Sequence, residues 1–361
     1  MYRLVKKILW SLDPEKSHRA TIRLLSLAQN RTVNCCGLLN RIGGRPPLLP
    51  TQVMGLTFPS PLGLAAGFDK NGEAVDALQA MGFGFIELGT VTPCPQPGNP
   101  KPRLFRLLEA RAVINRMGFN SLGLDQFLTN LKGHKREGVV AVNLGKNADT
   151  PVEEALDDYC QGLEAVYSLA DFVTLNISSP NTLNLRALQE HDALKSLLDG
   201  IGKRRDQLQE SHNRRLPIAV KIAPDLDHSA IRDVAEEVVA SGMDAIIATN
   251  TTVARPQVEG LPHAGETGGL SGKPLKPLAL QTVRTLYQTL DGRLPIIGVG
   301  GIQSADDAWE FLKAGADLVQ IYTGMLYQGP GLIGTITHEL KRRVVKSDHD
   351  FLADLVAEAR K

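Results

Sequence analysis

The 361-residue sequence has few cysteines, no long apolar run and almost no net charge. Its four cysteines, Cys35, Cys36, Cys94 and Cys160, form no C-x-x-C pair and no cluster with zinc-finger spacing, so we predict no metal site. So few cysteines are typical of a reducing compartment. No stretch approaches the ~20 apolar residues that cross a bilayer. A formal charge of +1 provides no general basic surface for nucleic acid.

The positive charge is concentrated near the N-terminus. Residues 1–45 contain nine lysines and arginines and only two acidic residues. The short apolar run at residues 8–10 is interrupted by Ser11, which is unlike the apolar core of a secretory signal. The sequence therefore predicts a basic segment on a mildly acidic body.

Two short helices are predicted within this basic segment. The first covers Tyr2–Trp10. The second begins at Asp13-Pro14-Glu15, which supplies an N-cap, a proline at the first helical position and an acid in the first turn, and it runs to about Ala28. Two amphipathic cationic helices favour a module that lies on a membrane surface. A helical cap packed on the rest of the protein is the alternative.

Eight apolar, strand-like runs alternate with helix-like stretches after residue 50. The runs cover 61–67, 83–91, 139–144, 172–177, 218–223, 245–249, 295–300 and 318–323. The amphipathic stretches cover 70–81, 151–170, 187–210, 228–241, 275–290 and 304–314, and another follows from 330. Eight successive units predict an α/β fold, a (β/α)8 TIM barrel with a small N-terminal helical extension. A doubly wound open sheet is the alternative, but no Rossmann fingerprint accompanies the units.

The pattern divides the chain into three segments. Residues 1–45 form the amphipathic helical module, residues 46–338 the barrel, and residues 339–361 a charged helical tail to which we assign no function. Segment 92–120 is a long, proline-rich insertion after the second strand, and insertions of this kind on a barrel usually belong to the functional site.

Polar residues follow the predicted strands, most densely in Asn176-Ile-Ser-Ser-Pro-Asn181. The two asparagines offer donors and acceptors to a planar ligand, and Ser179 can hydrogen-bond or move a proton. An ordinary Ser-Pro-Asn turn is the alternative. Five asparagines fall at the predicted C-terminal rim, and buried amides are costly unless they are satisfied, so together they indicate a polar, planar ligand: Asn115, Asn143, Asn176, Asn181 and Asn250.

Glycines and two lysines complete the predicted site. Gly298-Val-Gly300-Gly301 follows the seventh strand and Thr323-Gly324 the eighth, where barrels commonly bind phosphate. Lys221 lies inside a strand and Lys70 just after one. A phosphate site, a fixed cation and many amides suggest flavin mononucleotide (FMN) and a small planar acid. An aldolase that uses Lys221 as a Schiff base is the alternative.

The order of these motifs resembles that of the dihydroorotate dehydrogenase family, in particular its membrane-associated, quinone-using class 2. The resemblance extends from residue 1 to about residue 338. Seven segments carry it: Ala65-Ala-Gly-Phe-Asp-Lys70, Asn115-Arg-Met-Gly-Phe119, Asn176-Ile-Ser-Ser-Pro-Asn181, Lys221-Ile-Ala-Pro-Asp225, Thr249-Asn-Thr251, Thr267-Gly-Gly-Leu-Ser-Gly272 and Gly298-Val-Gly-Gly301.

The resemblance implies a role for each matching position. Ser179 would be the catalytic base. One FMN per subunit would be held by Ala66, Gly67, Phe68, Asp69, Lys70, Thr90, Asn143, Asn176, Lys221, Thr249, Gly272, Gly301, Tyr322 and Thr323. Dihydroorotate would be held by Lys70, Asn115, Arg116, Met117, Gly118, Phe119, Asn176, Asn181, Asn250 and Thr251. The quinone site would include His18, Arg106 and Tyr322.

The resemblance also implies the reaction and its setting. Dihydroorotate would be oxidised to orotate in de novo pyrimidine biosynthesis, with electrons passing through FMN to a membrane quinone. Class 1 relatives carry Cys where this chain has Ser179, so that serine and the basic segment both favour class 2. We expect a monomer, peripheral on the cytoplasmic side of the inner membrane, that binds no nucleic acid. A flavin barrel acting on another pyrimidine and a non-catalytic membrane scaffold remain alternatives. Thr323 replaces the serine of some relatives but keeps the hydroxyl.

Overall fold

The computed structural model describes residues 6, 10–29, 35–135 and 138–361. Its strands are β1 (Thr51–Val53), β2 (Leu56–Phe58), β3 (Leu62–Leu64), β4 (Phe85–Val91), β5 (Leu104–Leu107), β6 (Ala112–Asn115), β7 (Val139–Leu144), β8 (Phe172–Asn176), β9 (Ile218–Ile222), β10 (Ala245–Ala248), β11 (Gly269–Gly272), β12 (Ile296–Val299) and β13 (Leu318–Ile321). Its helices are α1 (Pro14–Ala28), α2 (Cys36–Ile42), α3 (Val75–Ala80), α4 (Gly123–Lys132), α5 (Ala155–Val166), α6 (His191–His212), α7 (His228–Ala240), α8 (Lys276–Leu290), α9 (Ala305–Ala314), α10 (Thr323–Gln328), α11 (Leu332–Val345) and α12 (Leu352–Ala359).

Eight strands form a closed parallel barrel in the order β3-β4-β7-β8-β9-β10-β12-β13. The ring closes where Val319 of β13 pairs with Leu62 of β3. Each predicted apolar run contains one barrel strand, and the predicted TIM barrel is confirmed. These strands are buried on both faces, because one face meets the lumen and the other meets the helices, and that is why they appear as continuous apolar runs.

Two small sheets were not predicted. The hairpin β1–β2 brings Val53 and Phe58 against Phe85 and Phe172 in one apolar cluster. Within segment 92–120, β5 and β6 form an antiparallel pair, and β11 joins β6 from more than 150 residues further along the chain. The insertion is therefore a three-stranded sheet, and its residues Leu104, Arg106, Val113 and Asn115 line the large cavity described below.

The N-terminal segment contains the second predicted helix at its predicted place. The Asp13 carboxylate accepts a hydrogen bond from the Lys16 amide at 2.9 Å and caps α1. Of the helix predicted over Tyr2–Trp10, only Lys6 and Trp10 are described, and both are helical; its other residues lie outside the described ones. Glu15 on α1 accepts a hydrogen bond from Arg103 at 2.7 Å, which ties the helix to the insertion. Among the described residues, no helix combines the length and apolar character that crossing a membrane requires.

The C-terminal residues pack onto the barrel helices. The predicted boundary between residues 338 and 339 falls inside α11, which runs without a break to Val345. Leu352 and Val356 of α12 are buried in the same apolar cluster as the barrel helices. The Arg360 guanidinium donates to the carbonyls of Leu312 at 3.0 Å and Ala316 at 2.7 Å. The tail is therefore part of the barrel's helical layer.

Candidate active site

One large cavity of about 1010 Å³ lies at the C-terminal ends of the barrel strands. It extends from the barrel mouth to helices α1 and α2, and a smaller adjoining space of about 90 Å³ lies beside β12 and β13. The predicted residues that line one or both spaces are His18, Ala66, Gly67, Phe68, Lys70, Thr90, Arg106, Asn115, Met117, Gly118, Phe119, Asn176, Ser179, Asn181, Lys221, Thr249, Asn250, Thr251, Gly272, Gly301, Tyr322 and Thr323. The fold thus brings almost every predicted residue to one place.

An amide network connects three strand ends beneath this cavity. The Asn250 side-chain amide donates to the Asn176 Oδ1 at 3.1 Å, and the Asn176 amide donates to the Asn143 Oδ1 at 3.1 Å. The Thr90 hydroxyl also donates to the Asn143 Oδ1. Because each side chain is held by its neighbour, the amides that face the cavity have fixed orientations.

Ser179 lies on the cavity wall in the loop after β8, with only 6% of its surface exposed. Its Oγ accepts a hydrogen bond from the backbone amide of Asn181 at 3.3 Å. Two polar atoms nearby in the chain, the Asn181 Oδ1 and the Thr182 Oγ1, are buried without a hydrogen-bond partner among the described residues. Buried groups of this kind cost free energy unless something pairs with them, so the wall of this cavity fits a polar ligand.

Arg186 holds this serine loop in place. Its guanidinium donates to the Ser178 carbonyl at 3.1 Å, to the Asp225 carboxylate at 2.8 Å and to the Thr251 carbonyl at 3.0 Å. These three acceptors follow β8, β9 and β10, respectively. The arginine therefore fixes the position of the serine loop relative to the neighbouring Asn250-Thr251 loop, which also contacts Ser178 through Asn250.

Lys70 lies on the cavity wall with its Nζ 2.7 Å from the Asn120 Oδ1. Burial and, less strongly, the Arg103 cation lower the pKa of Lys70 to about 7, although the Glu15 carboxylate opposes the change. An ammonium group with this pKa is easily deprotonated, and an anionic ligand beside it would restore its proton.

The glycine positions and the polar groups of the cavity fit FMN. Gly67 has φ +98°, and a Cβ built there would approach only the Tyr322 ring, at 3.5 Å. Gly301 and Gly272 line the smaller space with positive φ, and a Cβ at either position would collide with neighbouring backbone, so glycine allows the loop backbone itself to form part of the wall, as in phosphate sites. Lys221 lines both spaces and supplies a cation, while the asparagine amides match the edge of a planar ring.

The half of the cavity nearest the N-terminal helices is mainly apolar. His18 of α1 meets the Phe68 ring edge-on at 5.4 Å, and Phe68 meets Tyr322 at 5.7 Å. Burial, together with the Lys70 and Arg19 cations, lowers the pKa of His18 to about 4, so its imidazole is neutral near pH 7. The Arg106 guanidinium donates to the carbonyls of Trp10 and Leu12 at 3.2 and 3.1 Å.

Three predicted residues do not line either space. Asn143 lies behind Asn176 and Thr90 and supports them. The Asp69 carboxylate accepts hydrogen bonds from the amides of Glu73 and Ala74 at 2.9 and 2.8 Å, which orders the turn before α3. The Arg116 guanidinium forms an ion pair with Glu266 at 2.7 Å, outside the cavity.

The sequence reasoning missed Glu87, Gln320, Ser178 and Arg186. Glu87 interrupts the otherwise apolar strand β4, which is the same signal that identified Lys221, so the sequence could have revealed it. Gln320 interrupts β13 in the same way. Ser178 and Arg186 carry no such signal, because their partners come from distant loops.

Comparison with known proteins agrees with this arrangement. The profile of the family Dihydroorotate dehydrogenase matches residues 48–344. The chain is 53% identical over 333 residues to dihydroorotate dehydrogenase (quinone) of Azotobacter vinelandii, covering 92% of this chain and 94% of that protein. It is 49% identical over 344 residues to the protein of the same name from Marinobacter nauticus, covering 95% and 100%. The crystal structure of DHODH from Eimeria tenella in complex with ferulenol matches with a TM-score of 0.86 and 38% identity over 95% of both chains. The chain therefore belongs to the dihydroorotate dehydrogenase family, as its motifs predicted.

Proposed function

We propose that this protein oxidises dihydroorotate to orotate, with Ser179 as the base, and delivers the electrons to a membrane quinone. The observation that carries the proposal is that Ser179, Lys70, Lys221 and the asparagines Asn115, Asn176, Asn181 and Asn250 all line one cavity, whose far end is formed by the N-terminal helices. The Asn181 Oδ1 on the same wall, which is buried and has no partner within the described part of the chain, supports a polar ligand at this place.

The chain's own residues position the substrate and move its proton. Ser179 removes the proton from C5, which is acidified by the adjacent carbonyl. The Asn181 side-chain amide, which donates one hydrogen to Asn115, can donate the other to an oxygen on which negative charge grows. A serine hydroxyl is a weak base and must hand its own proton on. The next hydroxyl along this loop is that of Thr182, which is buried and has no hydrogen-bond partner among the residues described. Lys70 pairs with the substrate carboxylate. FMN held at this site would supply the acceptor for the hydride from C6 and the connection by which electrons reach the quinone.

The proposed cofactor residues divide between the two spaces. Gly272, Gly301 and Thr323 hold the phosphate end, while Ala66, Thr90, Asn176 and Lys221 hold the ring. Asp69 and Asn143 act from behind, through the backbone turn and through Asn176, respectively. Within the motif 115–119, Asn115, Met117, Gly118 and Phe119 reach the substrate, and the Arg116 ion pair with Glu266 anchors the segment.

Residues 1–45 are proposed to form the quinone and membrane module. Neutral His18, Arg106 and Tyr322 line the apolar end of the cavity. Leu24 and Leu27 on α1 are each 65% exposed, and Leu38 on α2 is 57% exposed. Exposed leucines beside basic residues fit the interfacial region of a lipid bilayer. The proposed state is a monomer, peripheral on the cytoplasmic side of the inner membrane.

The proposal is tested by adding dihydroorotate to the purified, anaerobic protein. We expect a yellow flavin spectrum that bleaches with substrate and returns when a quinone is added. A flavin that stays oxidised would remove the substrate assignment. A colourless protein that takes up no FMN and is trapped by borohydride with a carbonyl substrate would favour the Schiff-base chemistry of Lys221.

Orotate affinity is expected to fall as pH rises through about 7. The pKa of Lys70 is lowered to about 7 in the free protein, so the ammonium that pairs with the ligand carboxylate is lost above that pH. A bound anion raises this pKa, and the dissociation constant should then increase up to ~tenfold per pH unit between the free and bound values. Calorimetric titration between pH 6 and 8.5 measures the dissociation constant of orotate. Lys70→Met is the control variant, which should bind orotate more weakly and with an affinity that does not depend on pH. If the unmodified protein binds orotate with the same dissociation constant over this whole range, Lys70 is not the group that pairs with the ligand carboxylate.

A further inference from the structure

Glu87 is a fully buried carboxylate that the mechanism above does not use. It lies in the middle of β4, on the lumen side of the barrel, and none of its surface is exposed. A charged group in a protein interior is costly unless it is paired and hydrogen-bonded. Its presence in an otherwise apolar strand therefore requires partners of matching chemistry.

Four donors from four other parts of the barrel surround this carboxylate. The Asn143 amide donates to Oε1 at 2.6 Å, and the Gln320 amide donates to Oε2 at 2.7 Å. The Ala66 backbone amide donates to Oε2 at 3.4 Å, and the Lys221 Nζ lies 3.6 Å from the same oxygen. Three of these groups donate hydrogen bonds and the fourth is a cation, which together form the environment of a carboxylate rather than of a carboxylic acid.

Three of these donors belong to residues of the proposed cofactor site. Ala66 and Lys221 line the cavity, and Asn143 fixes the orientation of Asn176. Lys221 faces the cavity on one side and Glu87 on the other, so its charge is shared between the bound ligand and the carboxylate. At 3.6 Å, with 7% of the Lys221 side chain and none of the Glu87 side chain exposed, the two charges interact more strongly than an ion pair on the surface.

We propose that Glu87 is a positioning residue that acts as the counter-charge of Lys221 at the cofactor site. It holds Lys221, Asn143 and the Ala66 amide against the flavin and offsets part of the lysine's charge, so that it lowers the electron affinity of bound FMN. The inference rests on the proposed function, because it requires that FMN occupies this cavity. A purely structural carboxylate would satisfy the same amides but would leave the redox equilibrium of the flavin unchanged once the protein had folded.

The test is the redox equilibrium of FMN in the Glu87→Gln variant, measured against a reference dye without dihydroorotate. Loss of the negative charge leaves Lys221 uncompensated and favours reduced flavin. We expect the ratio of reduced to oxidised flavin at a fixed dye potential to rise at least ~tenfold, which corresponds to about 30 mV for a two-electron couple. Glu237→Gln is the matched control, because Glu237 is also buried and bonded to Ser241 but lies on the outer helix α7. It should leave the ratio unchanged.

A second pair of variants covers the case in which Glu87→Gln does not fold. Lys221→Met leaves the carboxylate without its cation, whereas Lys221→Met with Glu87→Gln removes both charges together. We expect the double variant to bind FMN at least ~tenfold more tightly than the single variant. Equal FMN affinity in these two, or an unchanged redox ratio in a folded, FMN-loaded Glu87→Gln, would overturn the inference. An unmodified protein that bound no FMN would overturn the proposed function as well, which separates the two failures.

Discussion

Replacing Ser179 with alanine should reduce the rate of flavin reduction by dihydroorotate by a factor of about 100 to 10,000, the range usual for loss of a general base. The hydroxyl lies on the cavity wall and, within the part of the chain that the structure describes, accepts one hydrogen bond, from the Asn181 backbone amide, so its removal should leave the fold and the ligand space intact. FMN content and the dissociation constant of orotate should change little. Anaerobic stopped-flow measurement of flavin bleaching gives the rate directly.

The neighbouring serine provides a matched control. Ser178 is also buried in the same loop, but its Oγ accepts a hydrogen bond from Asn250 at 3.1 Å and does not line the cavity. We expect Ser178→Ala to slow flavin reduction by about tenfold or less, through loss of one neutral hydrogen bond. Ser179→Cys, which keeps an ionisable group, should recover part of the rate. Flavin reduction at the original rate in Ser179→Ala would exclude this serine as the base.

Deletion of residues 1–45 should abolish quinone reduction while dihydroorotate still reduces the flavin. Helix α1 contributes Ser17, His18 and Leu25 to the apolar end of the cavity, and α2 contributes Leu38 and Arg41. Without these helices a quinone loses most of the wall that would hold it. The loss should appear in steady-state turnover with a lipid-soluble quinone, and the bleaching half-reaction measured in the same preparation serves as the internal reference.

A soluble dye distinguishes loss of the quinone site from damage to the barrel. If the truncated protein reduces such a dye at the original rate, its flavin site is intact and the defect is confined to the quinone. The point variant Arg19→Gln is a milder control, because it breaks the partly exposed ion pair between α1 and Glu73 and leaves every residue that lines the cavity in place. It should leave quinone turnover nearly unchanged. Full quinone turnover by the truncated protein would show that the helices are only structural.

The barrel was predictable because its strands are buried on both faces. The runs at 139–144 and 218–223 contain β7 and β9 with little error at their ends. The helix predicted over 70–81 begins only at Val75, because the Asp69 carboxylate binds the Glu73 and Ala74 amides and holds a turn there. Strand β11 could not be predicted, since Gly269-Leu-Ser-Gly272 has low strand propensity and exists through its pairing with β6.

The candidate site was predictable where a motif or an unusual residue marked it. Lys221 was found because a lysine inside an apolar strand requires explanation, and Glu87 carried the same signal without being recognised. The Arg186 bonds to the loops after β8, β9 and β10 could not be foreseen, because they depend on the distances between strand ends. The position of Arg116 outside the cavity could not be foreseen either, because it depends on an ion pair with Glu266, which is 150 residues away in the sequence.

The pairing of β3 with β13 has a consequence for synthesis on the ribosome. These two strands are separated by about 250 residues. At 5–20 residues per second, the ribosome needs roughly 10 to 50 s to synthesise the residues between them. During that time β3 has one edge without its final neighbour, and an unpaired apolar strand readily pairs with other chains. The last contact to form closes the whole ring, so folding of this protein should be slow and dominated by contacts between distant parts of the sequence.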